Sequence, residues 1–199
     1  LNVIRSAEDP FSKDGGIKIL KGNMGRSVVK TAAVDKENRL VEAPAIVFHE
    51  QSDLIKAFKN DELNKDFIAV VPFQGPKQNG MPELHNLTPS LTILQKRGYK
   101  VGLITDGRMS GASGKVPAAI HLTPEAIEGG PIAKIRTGDM IRIDCDKGTL
   151  EIFDYTEVSK RVITKIERKN TTSLGRGLFQ MARKTVSTSE RGASFILPD

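Results

Sequence analysis

The sequence predicts a mixed α/β fold, centred on a β-rich barrel or sandwich with helices on the outside. Short segments rich in β-branched residues outnumber long helical ones. Two nearly continuous apolar runs, 67–73 and 99–104, are typical of strands that are covered on both faces. Sequences that combine a capping residue with a proline mark helix starts between the strands. This set of elements is typical of a sheet with helices packed against it.

The first half of the chain is predicted to contain mostly short strands. The predicted elements are strands at 17–20, 28–34 and 40–48, a polar turn at 35–38, a helix at 53–59 and a strand at 67–73. Ser52 precedes the helix and is a residue type that caps helix N-termini. Leu54, Ile55 and Phe58 recur at helical spacing, so we expect them to face the core.

The second half is predicted to alternate helices with strands. The predicted elements are a helix from 88 to about 97, a strand at 99–104, a helix start at 123–126, apolar strand-like segments at 132–135, 140–144 and 149–153, and a helix at 174–185. In the first of these helices we expect Leu91, Leu94 and Ile93 to face inward, and Gly98 to end the helix. The turn sequence at 146–148 predicts a hairpin between its flanking strands.

The composition is typical of a soluble globular protein, and the length fits one domain, or one domain with an appendage. The chain has 199 residues, of which 38% are hydrophobic and 27% charged, and this length can bury a sizeable core. We expect a core at about 15–155 and a basic helical tail at about 156–199. No apolar run approaches the roughly 18 residues of a membrane span, and the N-terminus lacks a signal-peptide pattern, so no membrane partner is expected.

The single cysteine, Cys145, limits the possible redox chemistry. One cysteine excludes an internal disulfide and favours a reducing compartment, so we expect a cytoplasmic protein. One cysteine also cannot supply the three or four ligands that an iron–sulfur cluster normally needs. We therefore expect Cys145 to pack in the core.

The positive charge is concentrated near the C-terminus. The formal net charge is +6, and residues 155–199 carry nine Lys or Arg against four Asp or Glu. Aromatic residues are few, tryptophan is absent, and no pattern of basic and aromatic residues indicates base stacking. The charge is therefore better explained by a solvated face, or by a site for an anionic metabolite or partner, than by nucleic-acid binding.

A polar, glycine-rich loop follows the strand predicted at 99–104. Within ten positions it contains five polar or charged side chains: Asp106, Arg108, Ser110, Ser113 and Lys115. A plain turn needs fewer such residues, and the glycines between them let backbone or ligand approach closely. The loop is therefore a candidate functional site.

The spacing in this loop excludes a nucleotide phosphate-binding motif but leaves anion binding open. Met109 stands where that motif requires its first glycine, and Val116 stands where it requires the hydroxyl residue that binds magnesium. Pro117 favours a helix start just beyond the loop, and successive amides near 111–114 could then face an anion.

A purely structural alternative is a strand-to-helix turn in which Asp106 caps backbone amides and pairs with Arg108. A hydrolase triad is disfavoured, because the loop contains no histidine and His121 lies on the next segment. Metal coordination is another route by which Ser110 could become an alkoxide, although the loop alone does not supply the metal.

The segment 74–83 follows the other predicted buried strand and is a second candidate site. Asn79-Gly80 is a tight-turn signal. Glu83 follows a proline, whose restrained backbone suits a carboxylate that holds a cation. A solvated glutamate on a surface turn is the structural alternative. His85 and His49 are consistent with structural hydrogen bonding.

Five motifs stand in a characteristic order along the chain. They are KGNMGR at 21–26, FQGP at 73–76, NGMPEL at 79–84, TDGRMSG at 105–111 and GGP at 129–131. In this order they resemble the dihydroxy-acid dehydratase and 6-phosphogluconate dehydratase family. The resemblance runs from about 17 to 153, and more loosely through the tail. It implies the C-terminal domain of that family, a swivelling β/β/α barrel domain, and we expect the larger cluster-binding N-terminal domain to be absent from this chain.

Within the family, the segments 83–89 and 110–121 resemble the 6-phosphogluconate branch, as do 174–176 and 192–195 in the tail. This implies a hydro-lyase that converts 6-phospho-D-gluconate to 2-dehydro-3-deoxy-6-phosphogluconate and water in the Entner–Doudoroff pathway. A dihydroxy-acid dehydratase of branched-chain amino-acid synthesis is the alternative within the family. A stand-alone binding module for an anionic metabolite or RNA is the alternative outside it.

The resemblance also implies the roles of individual residues. Ser110 is implied to be the catalytic base, activated by a metal or by cluster iron, and Glu83 to be a ligand of Mg²⁺ or a similar divalent cation. From their residue types, we expect the anionic substrate to be bound by Arg108, Gly111, Ser113 and Lys115.

The implied partners are a sugar-acid phosphate substrate, the N-terminal domain that carries the ligands of an iron–sulfur cluster, and a second copy in a homodimer. We therefore expect this chain to be inactive by itself.

Overall fold

Eight strands close into a barrel in the computed structural model, which describes residues 3–11, 15–110, 115–163 and 177–196. In chain order the strands are β1 (Ile17–Gly22), β2 (Gly25–Lys30), β3 (Leu40–Val47), β4 (Phe67–Val71), β5 (Val101–Thr105), β6 (Ala118–Thr123), β7 (Met140–Asp144) and β8 (Thr149–Ile152). Around the barrel their order is β1-β2-β6-β5-β4-β3-β7-β8. The predicted mixed α/β class is confirmed, and the sheet is a barrel and not a sandwich.

The strands β3, β4, β5 and β6 form a parallel half of the barrel. The antiparallel hairpins β1–β2 and β7–β8 form the other half of the barrel. The two halves are joined by the antiparallel pairs β2–β6 and β3–β7. Lys21 pairs with Thr149 where β1 meets β8 and closes the barrel. Because β4 and β5 are parallel, the loops that follow them leave from the same edge, which is where ligands commonly bind in α/β sheets.

The apolar strand β4 is buried on both faces because its side chains alternate between two cores. Ile68 and Val70 lie in the barrel interior. Phe67, Ala69 and Val71 lie in a second core between the barrel and the helices. Period-two alternation places successive side chains on opposite faces, so a strand covered on both sides must be apolar throughout, as the sequence predicts.

The helices lie outside the barrel. They are α1 (Gln51–Lys59), α2 (Pro76–Asn79), α3 (Thr88–Lys96), α4 (Tyr155–Lys160) and α5 (Gln180–Thr185), with single 3₁₀ turns at Lys36–Asn38, His85–Leu87, Ala126–Glu128, Pro131–Lys134 and Ser189–Arg191. Leu54 of α1 and Leu91 and Leu94 of α3 are fully buried in the outer core. In the part of the chain that the structure describes, every helix is too short or too polar to cross a bilayer.

The largest departure from the predicted elements follows Pro117. The sequence favours a helix start there, but residues Ala118–Thr123 form β6 instead. β6 pairs with β5 on one side and β2 on the other, and these long-range pairs override the local helix-start signal. The loop after β5 therefore connects two parallel strands, and the strand-to-helix turn is wrong.

The other differences concern element ends. The strand predicted at 28–34 is β2, which begins earlier because a two-residue hairpin at 23–24 joins it to β1. Glu50, and not Ser52, caps α1, and it shares a capping box with Asp53. Asn79-Gly80, predicted as a tight turn, ends the short helix α2 with a left-handed Gly80.

Two further predicted segments differ, as does the expected burial of Ile93. The helix predicted from 123–126 and the strand-like segment at 132–135 are each a single 3₁₀ turn, and Ile93 is 42% exposed. Of the helix predicted at 174–185, residues 174–176 lie outside the described residues.

Candidate active site

Asp106 joins the two loops that leave the same edge of the parallel strands. Its side chain is completely buried, and it accepts the backbone N–H groups of Phe73 at 3.2 Å, Gln74 at 2.8 Å and Ala126 at 2.9 Å. Burial raises the pKa of this carboxyl, whereas the backbone hydrogen bonds lower it. Gly107 allows the close contact, because a Cβ there would lie 2.7 Å from the Cβ of Gln74. The loops after β4 and β5 therefore form one unit.

Glu83 connects the candidate residues of both loops. Its Oε2 accepts Arg108 Nη1 at 2.7 Å, and its Oε1 accepts the backbone N–H groups of Ser110 at 2.8 Å and His85 at 3.1 Å. Arg108 Nε also donates to the carbonyl of Met81 at 2.8 Å. A residue on the loop after β4 thus fixes both the Arg108 side chain and the Ser110 main chain.

Lys30, at the end of β2, contacts the same segment from the opposite side. Its ammonium group donates to the carbonyl oxygens of Met109 at 2.9 Å and Ser110 at 2.6 Å. Partial burial lowers the pKa of Lys30, whereas the nearby charge of Glu83 raises it. Ser110 is therefore held through its N–H by a carboxylate and through its C=O by an ammonium group.

His121 lies next to this cluster because β6 is irregular where it pairs with β2. The register shifts between the pairs that Arg26 and Val28 make with β6, His121 has a φ of 56°, and its backbone N–H donates to the carbonyl of Gly107 at 2.9 Å. Burial lowers the pKa of His121, and the charges of Lys30 and then Arg108 lower it further. Burial and the two cations therefore favour the neutral form of the imidazole.

Backbone strain is concentrated around these residues. Phe73, Met81 and His121 have φ values of 62°, 52° and 56°, a region that side-chain-bearing residues seldom adopt. Such conformations persist where the surrounding structure fixes them, and they cluster at functional sites. This supports the assignment of these loops as a site.

Glu125 is a buried acid behind the same loops. It is 3% exposed, and its carboxylate accepts the backbone N–H of Lys77 at 3.3 Å. Burial raises its pKa to about 7; the hydrogen bond from Lys77 opposes this, and the charges of Asp106 and Glu128 add to it. A Cβ on Gly75 would lie 2.1 Å from its Oε2. Only glycine at 75 therefore leaves room for this carboxylate.

Of the other predicted anion-binding residues, only Lys115 is among the described residues. Lys115 is exposed at the far end of the loop, and Gly111 and Ser113 lie outside the described residues. The alternative in which Asp106 pairs with Arg108 is wrong, because Arg108 pairs with Glu83. The two histidines His85 and His49 are both exposed.

The environment of Glu83 fits a divalent cation to which Glu83 supplies one ligand and other groups supply the rest. Among the described residues, no group of three or more His, Cys, Asp or Glu is arranged to hold a metal. The Glu83 carboxylate accepts three N–H groups, and a carboxylate has about four acceptor positions. Mg²⁺ commonly binds one or two protein carboxylates and completes its shell with water or substrate oxygens. The remaining ligands would come from outside the described residues.

Cys145 does not fit an iron–sulfur site. It is the only cysteine of the chain, it lies fully buried in the barrel core, and burial raises its pKa to about 12. The thiolate that ligates iron is therefore strongly disfavoured. Its expected place in the core is confirmed, and any cluster ligands would lie outside this chain.

Sequence reasoning identified Glu83, Arg108 and Ser110, which the structure brings together, but missed Lys30 and the position of His121. The alternation of Arg26, Val28 and Lys30 along β2 was available as a signal that they share a face. It could not indicate which loop that face meets, because this depends on the pairing of β2 with β6.

Comparisons with known proteins identify the family of this chain. The family described as Dihydroxy-acid/6-phosphogluconate dehydratase C-terminal matches residues 2–193. The chain is 51% identical over 192 residues to a phosphogluconate dehydratase of Pseudomonas aeruginosa, covering 96% of this chain and 32% of that protein. It is 50% identical over 198 residues to a phosphogluconate dehydratase of Escherichia coli K12, covering 98% and 33%.

A more distant relative is a dihydroxy-acid dehydratase of Agathobacter rectalis, which is 38% identical over 202 residues and covers 98% of this chain and 35% of that protein. The chain thus spans about a third of the length of the relatives it matches. These matches show that the chain belongs to the dihydroxy-acid/6-phosphogluconate dehydratase family and corresponds to the family's C-terminal part.

Proposed function

We propose that this chain provides the Ser110 side of the active site of a hydro-lyase that converts 6-phospho-D-gluconate to 2-dehydro-3-deoxy-6-phosphogluconate and water. The observation that carries the proposal is the cluster in which Glu83 and Lys30 hold the main chain of Ser110 from two sides. Relatives named phosphogluconate dehydratase are about 50% identical to the chain, against 38% for the dihydroxy-acid dehydratase. This difference favours the phosphosugar acid over a branched-chain substrate.

In this reaction Ser110 removes the proton at C2 of the substrate. The electron pair forms the C2–C3 double bond, and the C3 hydroxyl leaves with a proton as water. The resulting enol then takes a proton at C3, loses the proton of its C2 hydroxyl to solvent, and becomes the 2-oxo product. A serine is a weak base, but nearby positive charge favours its ionised form, and Lys30 and Arg108 bring two cations to this segment.

Arg108 and Lys115 are proposed to attract the anionic substrate, together with Gly111 and Ser113. Arg108 is 48% exposed and its partner Glu83 35%, so their ion pair is weak and the guanidinium can exchange partners at modest cost. Lys115 is exposed and accessible to a phosphate group. Charge-assisted hydrogen bonds to phosphate are about twice as strong as neutral ones.

The proposed cofactors are a divalent cation and an iron–sulfur cluster. A cation bound with Glu83 would stabilise the negative charge that develops as C2 loses its proton. Because the single buried cysteine does not fit a cluster, we infer that its ligands and the rest of the active site lie in protein outside this chain. A homodimer and a cytoplasmic location remain predictions from the sequence.

The experiment that tests the proposal compares two substrates with the full-length protein that carries this chain. We expect kcat/KM for 6-phosphogluconate to exceed that for 2,3-dihydroxyisovalerate by at least about tenfold, since a charge-assisted hydrogen bond contributes roughly 1.5–3 kcal/mol. Equal or reversed preference would assign the protein to the branched-chain substrate. Turnover of neither acid, together with tightly bound RNA, would favour the binding-module alternative.

A further inference from the structure

Ser110 is held at both of its main-chain groups by charged side chains that come from different parts of the fold. Glu83, on the loop after β4, accepts its N–H at 2.8 Å. Lys30, at the end of β2, donates to its C=O at 2.6 Å and to the C=O of Met109 at 2.9 Å. The N–H and C=O of a residue flank its Cα, so fixing both fixes the direction of its Cβ.

The contact from Lys30 is built into the barrel. Side chains of β2 alternate, so Val29 lies in the barrel core while Val28 and Lys30 face outward. Val28 packs against the outer core, which also contains Met109. Met109 therefore anchors in the outer core the same segment whose carbonyl oxygens the ammonium group of Lys30 binds.

The half-buried position of Lys30 argues against a role as a solvated surface charge. Removing an ammonium group from water is unfavourable unless hydrogen bonds replace its hydration. The two carbonyl oxygens supply those bonds, and the carboxylate of Glu83 supplies a compensating negative charge nearby. The other titratable groups that face this cluster are Arg108, on the loop after β5, and His121, on β6.

We propose that Lys30 is a positioning residue for dehydration: it fixes the Met109–Ser110 main chain so that the Ser110 side chain is held in its catalytic direction. This inference rests on the proposed function. Lys30 acts through Ser110 and does not bind the substrate. Misplacement of a catalytic group by about 1 Å can lower a rate by about 10²-fold, so loss of Lys30 should lower kcat and leave substrate affinity nearly unchanged.

The test uses Lys30→Met, Lys30→Gln and Lys30→Arg in the full-length protein. Lys134→Met is the matched control, because Lys134 is also half-buried and donates to a main-chain carbonyl, that of Ser159 at 2.5 Å, away from the site. Steady-state kinetics with 6-phosphogluconate give kcat and KM. Amide hydrogen exchange reports on the Ser110 N–H, a measurement that does not need turnover.

We expect Lys30→Met to lower kcat by about 10²-fold with KM changed by less than about threefold, and to speed exchange at the Ser110 amide. Lys30→Arg, which keeps a cationic donor, should recover part of kcat, and Lys134→Met should stay within about twofold of the wild type. In a Ser110→Ala background, Lys30→Met should cause no further loss, because residues that act as a unit are not additive.

A rise in KM at constant kcat would mean that Lys30 binds the substrate, and would overturn the inference. So would a fall in kcat without faster exchange at Ser110, or an additive loss in the Ser110→Ala background. If Lys30→Met does not fold, Lys30→Gln is judged by the same measures. Failure of the proposed function itself is seen separately, as absence of wild-type turnover.

Discussion

Glu83 and Ser110 lie 27 positions apart in the sequence, and the carboxylate of Glu83 accepts the backbone N–H of Ser110 at 2.8 Å. The same carboxylate binds Arg108. One acidic side chain therefore fixes the main chain of the proposed base and pairs with Arg108. This relationship joins the two loops that the sequence identifies separately.

Ser110→Ala should lower turnover severely, to a residual rate, while leaving the fold and substrate binding largely intact. Loss of a positioned base lowers a rate by about 10²–10⁴-fold. The measurement is solvent exchange of the C2 proton of 6-phosphogluconate, compared with Ser159→Ala, which removes a hydroxyl that bonds within α4. Exchange at a near wild-type rate in Ser110→Ala would show that Ser110 is not the base.

Glu83→Gln should weaken the dependence of activity on a divalent cation and lower kcat. The amide keeps a hydrogen-bond acceptor for the Ser110 N–H but loses the charge that attracts a cation and Arg108. We expect the cation concentration for half-maximal activity to rise at least about tenfold, with stability changed by less than about 1 kcal/mol because the ion pair is largely exposed. Glu42→Gln, which breaks the exposed pair with Arg142, is the control and should leave cation dependence unchanged.

Asp106→Asn should destabilise the chain, because one acceptor oxygen replaces two and an NH₂ group is placed among buried N–H donors. A buried polar group without a partner costs about 1–3 kcal/mol. Urea unfolding of the 199-residue chain measures the effect. The control is Asp66→Asn, since Asp66 is exposed and accepts a single backbone N–H, that of Lys100 at 2.9 Å. Equal stability of Asp106→Asn and the wild type would contradict the proposed bracing of the two loops.

Glu125 should make stability depend on pH. Its pKa is raised from 4.5 to about 7 in the folded state, chiefly by burial. The folded state therefore binds more protons than the unfolded state in this interval, and the free energy of unfolding should fall as pH rises from about 4.5 to 7.

Glu125→Gln should remove this fall and stabilise the chain at pH 8 by up to about 3 kcal/mol relative to the wild type. The two should differ little at pH 4. Urea unfolding across this range tests the prediction, with the exposed Glu62→Gln as control. A Glu125→Gln curve parallel to the wild type would mean that Glu125 ionises normally.

The sequence determined the fold class and the position of the site along the chain. Continuous apolar runs at 67–73 and 99–104 predicted strands covered on both sides, and the structure confirms them as β4 and β5. Polar residues and glycines directly after these strands marked the loops that carry Glu83 and Ser110. These signals are local, because alternation, turn chemistry and residue type are read within a few positions.

Only the tertiary structure decided which groups meet at the site. The partner of Arg108 is Glu83 and not its neighbour Asp106, and Lys30 reaches Ser110 across 80 positions of sequence. The strand after Pro117 also could not be read locally, since its pairing with β2 and β5 overrides a helix-start signal. Barrel closure brings these distant segments together, and no local period in the sequence specifies which strands become neighbours.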